Sequence, residues 1–292
     1  MTDNGNDAGS DAGVPVGDQN GPQAGDTPVH PAYGVVREVT PFASVLLCNN
    51  PGNMELDGTN TWILRAPGNA ECVIVDPGPP NKKGHVKRIA EQPGVALVLI
   101  THRHFDHTGA IKRLRKRVDA PVRARSMKFT HGAAALSDRE VIEMAGLRIT
   151  VLYTPGHTGD SVSFLVEWED QRALLTGDTI LGSGTTVIDP SDGTLRDYLN
   201  SLNRIIVEGE DAALLPAHGP DHPQVGPVAR YYKKHREERI DQIVAALDDL
   251  GISAAKAKPM KVVRKVYADV DKKLWPAARM SVKAQLEYLR DS

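Results

Sequence analysis

From Val35 onward the chain is a series of short apolar runs cut by Gly, Pro and Asn. The runs "VVREVT", "SVLLC", "TWILRA", "CVIVD", "VALVLIT", "VRARS", "LRITVLY", "SVSFLVEW", "ALLTGD" and "AALLPAHG" read as strands. Helical stretches fall between some of them, over 82–92, 108–117 and 194–208. Many strands with few interspersed helices predict two sheets with helices outside them, an α/β class that is neither a barrel nor a simple doubly wound sheet. After Pro227 the pattern changes. "VARYYKKHREERIDQIVAALDDL" carries Ile240, Ile243, Val244, Leu247 and Leu250 on one helical stripe. "MKVVRKVYADV" and "AARMSVKAQLEYLR" read as two more helices, set off by "GISAAKAKP" and "DKKLWP". Pro276 suits the first turn of the last helix, and Trp275 is expected to anchor its packing.

Composition adds boundaries to this pattern. The chain has 292 residues, 40% hydrophobic and 25% charged, as expected of a soluble globular protein. Its net charge of −2 conceals an uneven spread. Residues 1–30 hold five Asp, no Lys or Arg, and almost no large apolar side chain. Such a segment cannot offset its ordering entropy, so 1–31 is expected to be a disordered acidic tail. Residues 229–292 carry fifteen Lys and Arg against nine Asp and Glu. The expected organisation is a tail over 1–31, a catalytic domain over 32–226 and a helical C-terminal domain over 227–292.

Cys48 and Cys72 make no disulfide framework and no zinc spacing, and each sits in an apolar stretch, so both read as small core residues. With no signal-like segment and no apolar run of membrane-spanning length, the expected compartment is the cytoplasm.

The chemistry concentrates at "THRHFDHTGA", where His102, His104, Asp106 and His107 fall within six positions at the end of an apolar run. Four donors so placed have little structural purpose. Three further motifs share one arrangement, a strand, a Gly or Pro, then a ligand-type side chain: "LYTPGHT" (His157), "LLTGDT" (Asp178) and "LLPAHG" (His218). Asp76, in "VIVDPG", reads as the organiser of a turn beside them. Five imidazoles and two carboxylates without a thiolate suit Zn2+ and tolerate Mn2+ or Fe2+. Seven donors exceed what one catalytic zinc takes, and divide into two sites of three plus one bridging carboxylate. His30, His85, His131, His222 and His235 read as surface or structural, with His222 nearest in sequence to the site.

"THRHFDHTGA", "TPGHT", "TGDTILGSGTT" and "PAHG", in that order, resemble the metallo-β-lactamase superfamily over roughly residues 40–225. The resemblance implies a four-layer αββα sandwich with a two-metal site on one edge and two Zn2+ as cofactors. His102, His104 and His157 would hold the first metal, Asp106, His107 and His218 the second, with Asp178 between them. Within the superfamily, the His at 107 and the Asp at 178 differ from the true β-lactamases, and His104 stands where the flavin di-iron branch has Glu. "NNPGNMELDGTNTWIL", "GDTILGSGTTVIDP", "LRDYLNSLNRI" and the helical tail are similar to the endoribonuclease β-lactamase-like protein 2 group. In that group the tail is winged-helix-like; here its β-wing is expected to be missing.

The resemblance thus implies a hydrolase acting through a metal-bound hydroxide, with Asp106 orienting it. The expected substrate is single-stranded RNA, cleaved at a phosphodiester. Basic residues support this: "KRLRKR" (Lys112–Arg117) follows His107, then come Arg123, Arg125 and Lys128. The alternative is a small ester, thioester or lactone, as in glyoxalase II-like enzymes and lactonases, with Ser183–Thr186 shaping the pocket. No membrane partner is expected. The C-terminal helices are candidates for packing on the body, pairing two copies as a homodimer, or touching nucleic acid.

Overall fold

A computed structural model describes residues 32–189 and 191–291; the acidic segment 1–31 lies outside the described residues. Among the described residues eleven strands form two sheets. The first runs in the order β1 (Val36–Thr40), β2 (Ala43–Leu47), β3 (Asn60–Leu64), β4 (Cys72–Val75), β5 (Val95–Leu99), β6 (Val122–Arg123). It is antiparallel through β4, then parallel. The second has the order β11 (Ala213–Pro216), β10 (Gln171–Gly177), β9 (Val162–Trp168), β8 (Leu147–Tyr153), β7 (Val141–Met144). Only its β10–β11 pair is parallel.

Period-two alternation explains the layering. In β4, Val73 and Val75 face the second sheet with Leu97, Leu99 and Trp62, and meet Ile149, Val151, Phe164 and Leu175 there. Cys72 and Ile74 face the other way, onto Val86 and Ile89 of α1 (Lys83–Ala90) and Ile111 and Leu114 of α3 (Ile111–Leu114). The second sheet's outer face packs Leu152, Leu165, Leu174 and Leu214 against Tyr198, Leu202 and Ile205 of α4 (Leu195–Gly209). Helix, sheet, sheet, helix is the αββα order expected. Strand β7 was not expected: "VIEM" exposes Val141 at the sheet's edge, and its single polar position, Glu143, gives little periodicity.

The expected helix 108–117 is instead two short pieces, α2 (Phe105–Thr108) and α3. Gly109 separates them. A Cβ there would stand 2.4 Å from Pro80 Cδ and 2.5 Å from the Phe105 carbonyl oxygen, so only glycine lets this segment lie against the loop before α1.

Helix α5 (Val225–Leu250) crosses the expected domain boundary at 226/227. Its first half contributes Val225, Val228, Ala229 and Tyr232 to the outer core of the second sheet. Its second half packs Ile243, Ala246 and Leu247 with Val262 and Val263 of α6 (Pro259–Val266) and Val282 and Leu286 of α7 (Trp275–Arg290). Trp275 is only half-buried against this cluster, its indole donating to the Val270 carbonyl at 3.2 Å. Among the described residues no strand follows β11, so the C-terminal segment has no wing. Among the described residues no helix is long and apolar enough to cross a membrane.

Candidate metal centre

Strands β4, β5, β8, β10 and β11 deliver their C-terminal ends to one edge of the sandwich. Beyond those ends come Asp76, His102, His157, Asp178 and His218. Gly177, at φ +52°, makes one approach possible: a Cβ there would lie 2.8 Å from Thr101 Cβ. The close crossing sets Asp178 beside His102.

All seven expected side chains come together, in two groups: His102, His104, His157 and Asp178, and Asp106, His107 and His218. Within each group the ligand-type atoms lie within 4.8 Å of one another. Nδ1 of His104 is 3.0 Å from Nε2 of His102 and 3.1 Å from Nε2 of His157. Oδ2 of Asp178 is 3.8 Å from the first of those rings and 3.5 Å from the second. Its other oxygen, Oδ1, faces His218 Nε2 at 3.3 Å and His107 Nε2 at 3.6 Å. Asp106 Oδ2 completes the second group, 3.1 Å from His107 and 3.2 Å from His218. One carboxylate therefore turns an oxygen to each group.

Each imidazole is held from behind by its second nitrogen. His157 Nδ1 donates to the Val187 carbonyl at 2.5 Å and His218 Nδ1 to the Gly58 carbonyl at 3.0 Å. His107 Nδ1 meets Asp76 Oδ2 at 2.8 Å, and His104 Nε2 meets Asp189 Oδ2 at 3.0 Å. The Thr101 hydroxyl donates to Asp76 at 2.6 Å, so its oxygen is left to accept from His102 Nδ1 at 3.1 Å. These anchors fix the tautomers, and such outer contacts orient metal-binding histidines. Asp76 thus does more than shape a turn: it holds both Thr101 and His107. Thr59, itself bonded to Asn50, donates to Asp106 at 3.2 Å.

With the outer nitrogens carrying protons, His102, His104 and His157 aim three lone pairs at one point, with no donor among them. Around a tetrahedral zinc with bonds near 2.0–2.1 Å, ligand atoms stand about 3.3 Å apart. The observed spacings straddle that value. His107 Nε2 and Asp178 Oδ1 are also buried without a hydrogen-bond partner. The donor set fits divalent cations of the zinc type.

The electrostatics agree. Burial pushes His102 well below the ordinary imidazole range and lowers His157, which keeps both as neutral donors. Burial also opposes charge on His107 and His218, but the carboxylates outweigh it. Asp106, Asp76 and Asp178 hold His107 well up, and Asp178 with Asp106 holds His218 up to about 10. Burial likewise works against the two carboxylates, yet the facing imidazoles keep Asp106 and Asp178 far below the usual carboxylate range. The second group thus demands positive charge, which protons or a cation can supply; cation binding there releases protons.

Several contacts had no signature in the sequence. Arg103 ties its own loop to the 189–192 segment, contacting Asp189 at 2.6 Å and Asp192 at 2.5 Å. Buried Arg236 of α5 reaches the Thr186 carbonyl, and Thr186 Oγ1 lies 3.1 Å from His157 Nδ1. Other expected residues prove structural. Arg123 pairs with Glu140 at 2.7 Å, while Arg125 donates to the Gly159 carbonyl at 2.6 Å and covers the Tyr153 ring. His222 donates to the Gly182 carbonyl at 2.6 Å and stays outside the centre. His85 is buried against Thr61.

Known proteins with related sequences and folds complete the picture. The family model described as the metallo-beta-lactamase superfamily matches residues 54–218, and one for the beta-lactamase associated winged helix domain matches 259–291. A beta-lactamase-like protein 2 homolog of Caenorhabditis elegans is 29% identical, over 87% of this chain and 86% of its own. An atrochrysone carboxyl ACP thioesterase of Aspergillus fumigatus is 32% identical, over 80% of this chain and 72% of its own. A beta-lactamase domain protein from Burkholderia ambifaria superposes with a TM-score of 0.72 at 20% identity, covering 90% and 89% of the two chains. That likeness concerns the fold.

Proposed function

The chain belongs to the metallo-beta-lactamase superfamily of metal-dependent hydrolases, and on that premise we propose that it hydrolyses phosphodiesters of single-stranded RNA at a dinuclear zinc centre. His102, His104 and His157 would hold one ion, Asp106, His107 and His218 the other, and Asp178 both; Mn2+ or Fe2+ would satisfy the same donors. Bound there, a pair of divalent cations supplies an acidified water and an electrophile for the substrate oxygen.

The chain's own residues do the rest. Asp106 is kept ionised by His107 and His218 despite its burial, so it can only accept hydrogen bonds; it orients the attacking water. Thr59 fixes that carboxylate from the side. Asp76, Asp189, Thr101, Gly58 and Val187 keep the imidazoles aimed inward.

The observation that carries the RNA reading is a group of cations just past His107. Lys112, Arg113 and Lys116 line one concave surface, where a phosphate backbone would be attracted. A second reading, thioester or ester hydrolysis, is favoured by a different observation. Phe105, Met127 and Met54 are 68%, 69% and 53% exposed. They lie on the α2 segment, on the turn after Arg125, and on the loop leading to Thr59, where an acyl chain would find apolar contact. The relative named as a thioesterase supports this second reading.

Fluorogenic single-stranded RNA assayed beside lactoylglutathione separates the two. Chelator-sensitive RNA cleavage that is lost in His102→Ala protein supports the first; thioester turnover without RNA cleavage replaces it with the second. The cytoplasm is the proposed compartment, since both thiols are free and buried.

A further inference from the structure

We propose that the cavity between the loop after β4 and helix α3 is a phosphate-binding subsite of the enzyme. This deepens the reading above and rests on it, because the metal centre is taken as the reacting end of the same substrate. The cavity measures about 310 Å3 and is lined by Pro80, Gly109, Lys112, Arg113 and Lys116.

Three features single it out. First, its walls are held in place: Ala110 donates to the Gly78 carbonyl at 2.9 Å, and Gly109 closes against Pro80. Second, its positive charge is uncompensated. Arg103, Arg123, Arg139, Arg148, Arg204 and Arg230 all pair with carboxylates. Lys112, Arg113 and Lys116 have no carboxylate partner among the described residues, and Arg113 Nε is inaccessible and without a hydrogen bond. Three like charges around one concavity repel one another unless an anion sits among them. Third, the cavity adjoins the metal centre. Gly109 is two residues past His107, and its amide donates to the carbonyl of Phe105, the residue after His104.

Ammonium and guanidinium groups carried by the lining residues suit a phosphate, with the guanidinium adding directional donors. The phosphate could come from the RNA backbone beside the scissile bond or from the phosphorylated arm of a thioester carrier. A wholly uncharged substrate would leave the subsite unused.

The test uses the full-length, EDTA-treated protein, so that binding is read without the metals. One probe is fluorescein-labelled decauridylate, followed by anisotropy over a salt series; the other is adenosine 3′,5′-bisphosphate, followed by calorimetry. Lys112→Ala/Lys116→Ala is compared with Arg115→Ala/Arg117→Ala, which removes equal charge from the same segment but not from the cavity. The cavity pair should weaken at least one probe tenfold or more, and the control pair less than threefold. If decauridylate is the affected probe, its salt slope should fall by about 1.4, two phosphates' worth. Selective loss of the bisphosphate alone would keep the subsite and remove the RNA reading. No binding of either probe to the wild type, or equal or no effects of the two variant pairs, would overturn the subsite; RNA cleavage would then still be judged by its own assay.

Discussion

Asp189 Oδ2 stands 3.0 Å from His104 Nε2 and 2.6 Å from the Arg103 guanidinium, so one oxygen of one carboxylate steadies two consecutive residues of the histidine cluster. Of the five imidazoles only His104 is not fully buried, so packing constrains it least and Asp189 matters most to it. Asp189→Ala should weaken one of two zinc-binding events about 10- to 100-fold, the usual cost of losing such an outer partner. A chelator-competition titration reads this directly. Asp189→Asn, which can still accept from the ring, should recover part of the affinity; equal affinity in all three proteins would remove the role.

The core between the sheets should behave as one packed unit. Phe164 is fully buried there among Val151, Val75 and Leu175. Phe164→Ala should cost about 3–5 kcal/mol of stability, measured as a lower denaturation midpoint with an unchanged slope. Val207, exposed on α4, should tolerate Ala with a change within about 0.5 kcal/mol.

His85 supplies a pH dependence separate from the metal centre. Burial lowers it to about 4 in the folded protein, against an ordinary 6.5. The unfolded chain therefore binds more protons between those values, and stability rises with pH. The contribution is present above pH 6.5 and lost as pH falls towards 4. Between pH 7 and 5 the wild type should lose about 2 kcal/mol more than His85→Gln. Urea unfolding at the two pH values checks the difference; parallel losses in both proteins would contradict it.

The layers of the fold and the seven convergent side chains were legible for the same reason. Each of His157, Asp178 and His218 follows an apolar run and a Gly or Pro, so strand end and ligand-type group are neighbours in sequence. Asp189 and Thr186 fall in a stretch that the resemblance singles out, but their roles were not legible, because their partners His104 and His157 lie far away along the chain. Nothing local in "VIDPSDG" says which imidazole its first Asp would face. Gly109 shows the same limit: its close approach to Pro80 and the bond from the Ala110 amide to the Gly78 carbonyl are long-range contacts that no helical periodicity around residue 109 reveals. Arg123 and Arg125 belong to a basic stretch in the sequence, but Glu140, Gly159 and Tyr153, distant along the chain, occupy them in the fold.

Elemental analysis of the full-length protein, stripped with EDTA and reloaded with Zn2+, bears most directly on the proposal that two trios and Asp178 hold a pair of cations. Two zinc ions per chain are expected in the wild type, and no more than one in Asp178→Ala protein of unchanged fold. A folded wild type that takes up none, or one ion held equally well without Asp178, would contradict it.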